Sequence, residues 1–207
     1  MNRVGIIDYG LCNLDSVGRA IEEIGGTPRV VSVPEQLTGL DRYVLPGVGA
    51  FPDAISNLRL TGLDQALGER IRSSGAPLLG ICLGMQLLAS EGCEVAPCAG
   101  LGWIPGRVPR MQAAAGERIP HIGWNGVDHK SHPLFEGIPS GSDFYFVHSY
   151  SVIPVNPDHA IAMTAHAGGF VSALADGPIV GVQFHPEKSQ RLGLRLLANF
   201  LAWRGGC

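Results

Sequence analysis

The chain lacks any uninterrupted apolar run long enough to cross a bilayer. Its longest, Ala76 to Ala89, is broken by Pro77, Gly80, Gly84 and Gln86, whereas a spanning helix needs about 20 consecutive apolar residues. Charge is sparse and nearly balanced: 15 Lys and Arg face 18 Asp and Glu, charged residues make up 16% of the chain, and no basic stripe, polybasic segment or acidic tail appears. That disfavours nucleic acid and membranes as partners. A paired cysteine framework is missing too, since the cysteines at 12, 82, 93, 98 and 207 form an odd set. Cys93 and Cys98 are too far apart for a C-x-x-C pair and no His or Cys cluster follows them, so both read as ordinary small residues and no metal is expected. Met1-Asn2-Arg3-Val4-Gly5 runs directly into a strand pattern without the character of a signal peptide. With thiols taken as reduced, the expectation is a cytoplasmic protein.

What is present is a hydrophobic fraction of 45% spread over 207 residues, enough for one domain over 1–207 with a substantial core. The first half alternates strand-like and helix-like runs. Val4 to Ile7, Arg29 to Ser32, Tyr43 to Leu45 and Pro77 to Leu79 read as strands; Asn13 to Ile24 and a segment whose Leu63, Ala66, Leu67 and Ile71 share one face read as helices. This rhythm predicts an α/β fold of three layers, a mostly parallel sheet flanked by helices, with reactive groups beyond the carboxyl ends of the strands. After Gly100 the pattern becomes short strands with Pro and Gly turns, including Gly102-Trp103-Ile104, Phe144 to Val147 and Val171 to Leu174, which predicts an antiparallel extension of the sheet. Met111 to Gly116 reads as an exposed loop or hairpin tip. A last strand, Ile179 to Phe184, leads to His185, and Leu192, Leu196 and Phe200 mark a closing helix.

Chemistry concentrates in three places. Gly80-Ile81-Cys82-Leu83-Gly84 follows a strand and precedes a helix-like run, the setting of a nucleophile elbow with cysteine in place of serine. The glycines suit a sharp turn, and a following helix dipole favours thiolate. A buried structural cysteine between glycines is the plainer alternative. His185-Pro186-Glu187 supplies a base and, two residues on, a carboxylate able to orient it; alternatively His185 only ends a strand. Leu45-Pro46-Gly47-Val48-Gly49-Ala50-Phe51 leaves a strand as a glycine loop. Its N–H groups at Gly47, Val48 and Gly49, joined by that of Leu83, suit an oxyanion hole, while a phosphate cradle lacks the spacing and lysine of a P-loop.

These segments together resemble the class I glutamine amidotransferases, in which a G-x-C-x-G elbow and an H-P-E motif form a Cys-His-Glu triad. Ile6-Ile7-Asp8-Tyr9-Gly10, Leu45 to Phe51, Gly80 to Gln86, Pro120-His121-Ile122-Gly123-Trp124-Asn125, Tyr145-Phe146-Val147-His148-Ser149-Tyr150 and Gln183 to Ser189 look more narrowly like the glutaminase subunits of imidazole glycerol phosphate synthases. The resemblance implies hydrolysis of glutamine to glutamate and ammonia, without a cofactor, by Cys82, His185 and Glu187. It implies, as heterodimer partner, a (β/α)8 cyclase subunit, which uses the ammonia in histidine biosynthesis. It also assigns Gln86, Glu94, Ser149 and Tyr150 to substrate binding, and Asn13, Trp124, Tyr145 and Lys188 to the partner interface or ammonia exit. Glu94 is otherwise a loop carboxylate, and Trp124 and Tyr150 are otherwise core aromatics. His121 and His148 read as hydrogen-bonded structural histidines; His129, His132, His159 and His166 read as surface residues. One departure stands out. The family carries Gly-x-Gly-Asn where this chain has Leu11-Cys12-Asn13, so either the loop is reshaped or it never needed a glycine there. Two other readings stay open: a paralogous glutaminase serving a different synthetase, and a catalytically inactive regulatory or scaffold subunit.

Overall fold

The computed structural model describes residues 2–113 and 115–206. Cys207, and Ala114 within the 111–116 loop, lie outside them. The amino-terminal half runs β1 (Arg3–Ile7), α1 (Leu14–Glu23), β2 (Thr27–Val31), β3 (Arg42–Leu45), α2 (Phe51–Thr61), α3 (Leu63–Ser74), β4 (Leu78–Ile81) and α4 (Leu83–Leu87). There follow β5 (Glu91–Gly92), β6 (Cys98–Ala99), β7 (Gly106–Val108), β8 (His121–His129), β9 (Ser142–His148), β10 (Ile153–Pro154), β11 (Ala160–Thr164), β12 (Phe170–Asp176), β13 (Ile179–Val182) and α5 (Gln190–Ala202).

Nine strands form one sheet in the order β2-β1-β3-β4-β13-β12-β11-β8-β9. From β2 to β13 all pairings are parallel, and from β13 to β9 all are antiparallel, so the antiparallel extension begins where expected. Alternating strand residues divide the core into two clusters, as a pleated sheet buried on both faces requires. Val4, Ile6, Val44, Leu79, Ile81 and Val182 pack toward α1 and α5. Ile7, Tyr43, Leu45 and Leu78 pack toward α2, α3 and α4. Three layers result.

Several local expectations are corrected. The segment 102–104 is not a strand: Gly102 donates to the Ala89 carbonyl, and Trp103 and Ile104 both donate to the Leu88 carbonyl, which folds the segment back on the residues after α4. The last strand stops at Val182, two residues short: the chain bends at Gln183 and Phe184, although the Gln183 N–H still meets the Ser172 carbonyl of β12. Helix α2 was not foreseen; Gly62, at φ +72°, ends it and opens α3 within one residue. A separate four-stranded sheet, β10-β7-β5-β6, is built of strands two or three residues long, too short to leave a period in the sequence. Met111 is buried and its N–H meets the Ser149 carbonyl, so the exposed loop starts only after it. Among the described residues no helix is long and apolar enough to cross a membrane.

Candidate active site

Cys82 stands at the carboxyl end of β4 with φ +54° and ψ −111°, a region that a residue with a Cβ enters only when its surroundings hold it there. The flanking glycines are explained by contact. A Cβ at Gly84 would overlap the Leu45 carbonyl oxygen, and one at Gly80 would come within 2.9 Å of Gly84 and Met85 backbone atoms. The Cys82 N–H is anchored on Val182 of β13 at 2.8 Å. Its sulfur, 7% exposed at the residue level, lies 3.9 Å from the Val147 carbonyl and 3.7 Å from Gln183 Nε2. The helix behind it, α4, has only five residues, so the dipole expected to favour thiolate is that of little more than one turn.

His185 follows β13, and the turn Pro186–Lys188 swings Glu187 back beneath it. Nδ1 donates to Glu187 Oε1 at 2.8 Å, with both side chains almost fully buried. The imidazole is therefore oriented so that Nε2 is left for other work: it is buried without a well-aligned hydrogen bond, and the group it interacts with on that side is the Cys82 sulfur. Burial disfavours the imidazolium, but the Cys82 sulfur and the Glu187 carboxylate together outweigh it and raise the pKa of His185 to about 10. Strand β9 braces this turn: the Tyr145 carbonyl accepts the His185 N–H at 2.8 Å, and the Tyr145 N–H meets Ser189 Oγ at 3.0 Å.

Cys82 and His185 share a cavity of about 290 Å³ with Val48, Gly49, Leu83, Gln86, Glu94, Ser149 and Tyr150. All of these are assigned to the site from sequence; of the other two residues that line it, Val147 has no assignment there and His148 is read as structural. Gln86 donates through Nε2 to the Tyr150 carbonyl and to Gln183 Oε1, each at 3.0 Å, which leaves its own carbonyl oxygen as the free polar atom. Glu94 is not an idle loop carboxylate, because Oε2 accepts the Phe51 N–H at the start of α2 at 2.8 Å.

The oxyanion assignment needs one correction. The Val48 N–H already donates to the Leu11 carbonyl at 2.9 Å and is not available to a substrate in this conformation. Gly49, at φ +98°, sits beside it; Leu83, first residue of α4, has an N–H without an intrahelical acceptor. Gly47 lies behind the cavity, where a Cβ would press on the Tyr9 hydroxyl and stand 3.0 Å from Leu83 Cβ. The departure at 11–12 is resolved as well: Gly10 takes the left-handed conformation, φ +87°, and neither Leu11 nor Cys12 does. Cys12 packs inward, its thiol 3.4 Å from the Ile7 carbonyl, and burial pushes its pKa up to about 11.

His148 Nδ1 donates to the Tyr150 carbonyl at 2.9 Å, so its Nε2 accepts from His121 Nδ1 at 3.0 Å, and His121 Nε2 in turn accepts from Asn125 Nδ2 at 3.3 Å. Burial lowers both imidazoles, His148 to about 3 and His121 to about 4, which keeps the pair neutral. The other four histidines are half-buried rather than superficial: His166 stacks on His121 at 4.1 Å and His129 on Phe135 at 4.4 Å. Trp124 is 48% exposed and not core. It meets Tyr145 edge-on at 6.0 Å, and Lys188 Nζ lies 6.0 Å from the Tyr145 ring centre. Asn13 caps α1, accepting the Ser16 N–H at 3.4 Å. The contributions of Gln183, Val147 and Leu11 were missed because two act through backbone carbonyls and the third is a polar residue in a strand-like run, none of which leaves a motif.

Residues 5–203 match the family Glutamine amidotransferase class-I. The imidazole glycerol phosphate synthase subunit HisH of Moorella thermoacetica is 46% identical over 201 residues, covering 97% of this chain and 94% of that protein. That of Methylococcus capsulatus is 46% identical over 213 residues, with 98% and 97% covered. Among solved structures, one described as a glutamine amidotransferase superposes with a TM-score of 0.76 at 20% identity, covering 96% of this chain and 97% of that one. The structure of PurLQS from Thermotoga maritima gives 0.75 at 17% identity, covering 97% of each chain. The chain belongs to the class I glutamine amidotransferases and, within them, to the family of the imidazole glycerol phosphate synthase HisH subunits.

Proposed function

We propose that the chain hydrolyses glutamine to glutamate and ammonia and delivers the ammonia to a separate (β/α)8 cyclase, as the glutaminase half of an imidazole glycerol phosphate synthase of histidine biosynthesis. The observation that carries this is the buried His185, fixed at Nδ1 by Glu187 and interacting on its other side with the Cys82 sulfur in the cavity the two share. In this reading Cys82, as thiolate with His185 protonated, attacks the side-chain amide carbon. The imidazolium gives its Nε2 proton to the departing nitrogen, ammonia leaves, and a thioester remains. Neutral His185 then takes a proton from water, whose oxygen attacks the thioester; collapse releases glutamate and restores the thiolate. Glu187 holds the imidazole in register throughout.

The Gln86 carbonyl oxygen suits the substrate amide N–H, which glutamate lacks, and Glu94 suits the α-ammonium. Ser149 and Tyr150 serve the carboxylate end. The oxyanion is received by Leu83 N–H and by the loop Gly47-Val48-Gly49 once Val48 leaves the Leu11 carbonyl. That loop is therefore the element whose rearrangement limits activity in the chain alone. Trp124, Tyr145, Lys188 and Asn13 form the side on which the cyclase docks. One domain over 1–207 carries the reaction, and its free thiols at 12, 82, 93 and 98 accord with a cytoplasmic setting.

The test is glutamine hydrolysis with and without the cyclase and its phosphoribulosyl substrate. Turnover is expected to rise strongly on their addition and to vanish in Cys82→Ala. Undiminished ammonia release by that variant defeats the mechanism, and capture of a synthetase in place of a barrel cyclase reassigns the partner.

A further inference from the structure

Gln183 is fully buried immediately after β13, and the steps proposed for Cys82 and His185 make no use of it. Its backbone N–H is satisfied by the Ser172 carbonyl at 2.9 Å, so the orientation of its side chain is a separate matter. That orientation follows from a main-chain carbonyl. The Tyr150 oxygen can only accept, which identifies the Gln86 atom 3.0 Å from it as Nε2. The same Nε2 lies 3.0 Å from Gln183 and needs an acceptor there, so that atom is Gln183 Oε1. The remaining Gln183 atom, Nε2, faces the Cys82 sulfur at 3.7 Å and can only donate. The Tyr150 carbonyl also accepts from His148 Nδ1 at 2.9 Å, which helps hold it in place.

We propose that Gln183 is a further catalytic residue, whose side-chain N–H donates to the Cys82 thiolate and whose direction is fixed by Gln86 and the Tyr150 carbonyl. Besides His185, two neighbours of the sulfur among the described residues have opposite preferences. The Val147 carbonyl, 3.9 Å away, accepts only from the neutral thiol; the Gln183 amide stabilises the anion. As thiolate forms, the first contact loses its proton and the second strengthens, since hydrogen bonds to ionised acceptors are roughly twice as strong as neutral ones. Gln183 thus biases the resting nucleophile toward its reactive form, and it links the atom that attacks to Gln86, which faces the same substrate. This rests on Cys82 being the nucleophile.

The test follows alkylation of the Cys82 peptide by iodoacetamide as a function of pH, read by mass spectrometry so that the other thiols do not interfere. Gln183→Met removes the donor, while Gln183→Glu keeps an acceptor for Gln86 and turns a second acceptor toward the sulfur. The other titratable groups around the sulfur are His185 with Glu187 after β13, Tyr9 after β1 with Cys12 beyond it, His148 on β9 and Glu94 after β5. They are common to all three proteins, so a difference between profiles reads the substitution. The pH midpoint is expected to rise by about one unit in Gln183→Met, equivalent to about a tenfold loss of thiolate at fixed pH, and further in Gln183→Glu. Circular dichroism confirms folding of each. Midpoints unmoved in both folded variants, or a smaller rise in Gln183→Glu than in Gln183→Met, overturn the proposal. The glutaminase reading is tested separately by turnover in Cys82→Ala, so the two failures are distinguishable.

Discussion

At the residue scale, the G-x-C-x-G signal was legible because both glycines answer to backbone crowding that any strand-to-helix elbow creates. Gly84 faces the Leu45 carbonyl with no room for a methyl group. Gly84→Ala is expected to lose about 2–3 kcal/mol of stability, the cost typical of overpacking against an unyielding neighbour, and to displace Cys82 enough to abolish turnover. Urea unfolding and the glutaminase assay check the two together. The histidines make a second prediction. His148 and His121 are held at about 3 and about 4, below the usual value near 6.5, so the unfolded chain binds protons that the folded chain refuses as pH falls. Stability contributed by their burial as neutral rings is present above pH of about 6.5 and declines below it, by up to about 1.4 kcal/mol per pH unit for each ring. His185 has the opposite sign: raised to about 10, it contributes fully below its unfolded value and loses that contribution as pH climbs toward 10. Unfolding free energy measured between pH 6.5 and 5, before most carboxylates titrate, is expected to fall; a flat profile there contradicts the neutral pair.

At the element scale, β1, β3, β4, α1, α3 and α5 were readable to within two or three residues, because each helix carries a buried apolar stripe of helical period and each strand is a short apolar run buried on both faces. Helix α2 was hidden by the glycine loop before it and by its opening Phe51-Pro52-Asp53, which reads equally well as a turn. Strands β5, β6 and β10 were hidden by their length. Their small sheet nevertheless matters, since β5 and β6 carry between them the loop that presents Glu94 to the cavity and to α2. Glu94 therefore has two duties that substitutions can separate. Glu94→Gln keeps an oxygen for the Phe51 N–H but removes the charge, and is expected to raise KM for glutamine with little change in stability. Glu94→Ala removes both and is expected to cost about a further 1 kcal/mol of stability, the size of a lost helix cap. Thermal unfolding beside steady-state kinetics distinguishes them; equal stability of the two variants means that the cap contributes nothing.

At the scale of the whole molecule, the outer edge of the sheet connects a surface to the nucleophile. Cross-strand pairing sets Ile122 opposite Val147 and Trp124 opposite Tyr145 on one face of the β8–β9 ribbon, and Ile122, Trp124 and Val147 are 60%, 48% and 36% exposed. The inner face of the same ribbon is fully buried at Phe144 and Phe146, so the outward apolar residues are not needed for the core. Exposed apolar clusters of this kind commonly mark interaction sites. The backbone of β9 also carries the Val147 carbonyl that touches the Cys82 sulfur and the Tyr145 carbonyl that holds the His185 N–H. The ribbon thus joins the exposed patch to backbone atoms that touch both reacting groups. Trp124→Glu places a charge in the centre of the patch on a side chain that the core does not use. The variant is expected to fold with an unchanged unfolding midpoint and an unchanged rate of Cys82 alkylation when alone. It is expected to bind the cyclase proposed above as partner at least about thirtyfold more weakly, the loss typical of an interfacial tryptophan. Isothermal titration measures the affinity and mass spectrometry the alkylation. Undiminished binding assigns docking to another face, whereas a changed alkylation rate in the isolated variant means that the ribbon governs the nucleophile even without a partner.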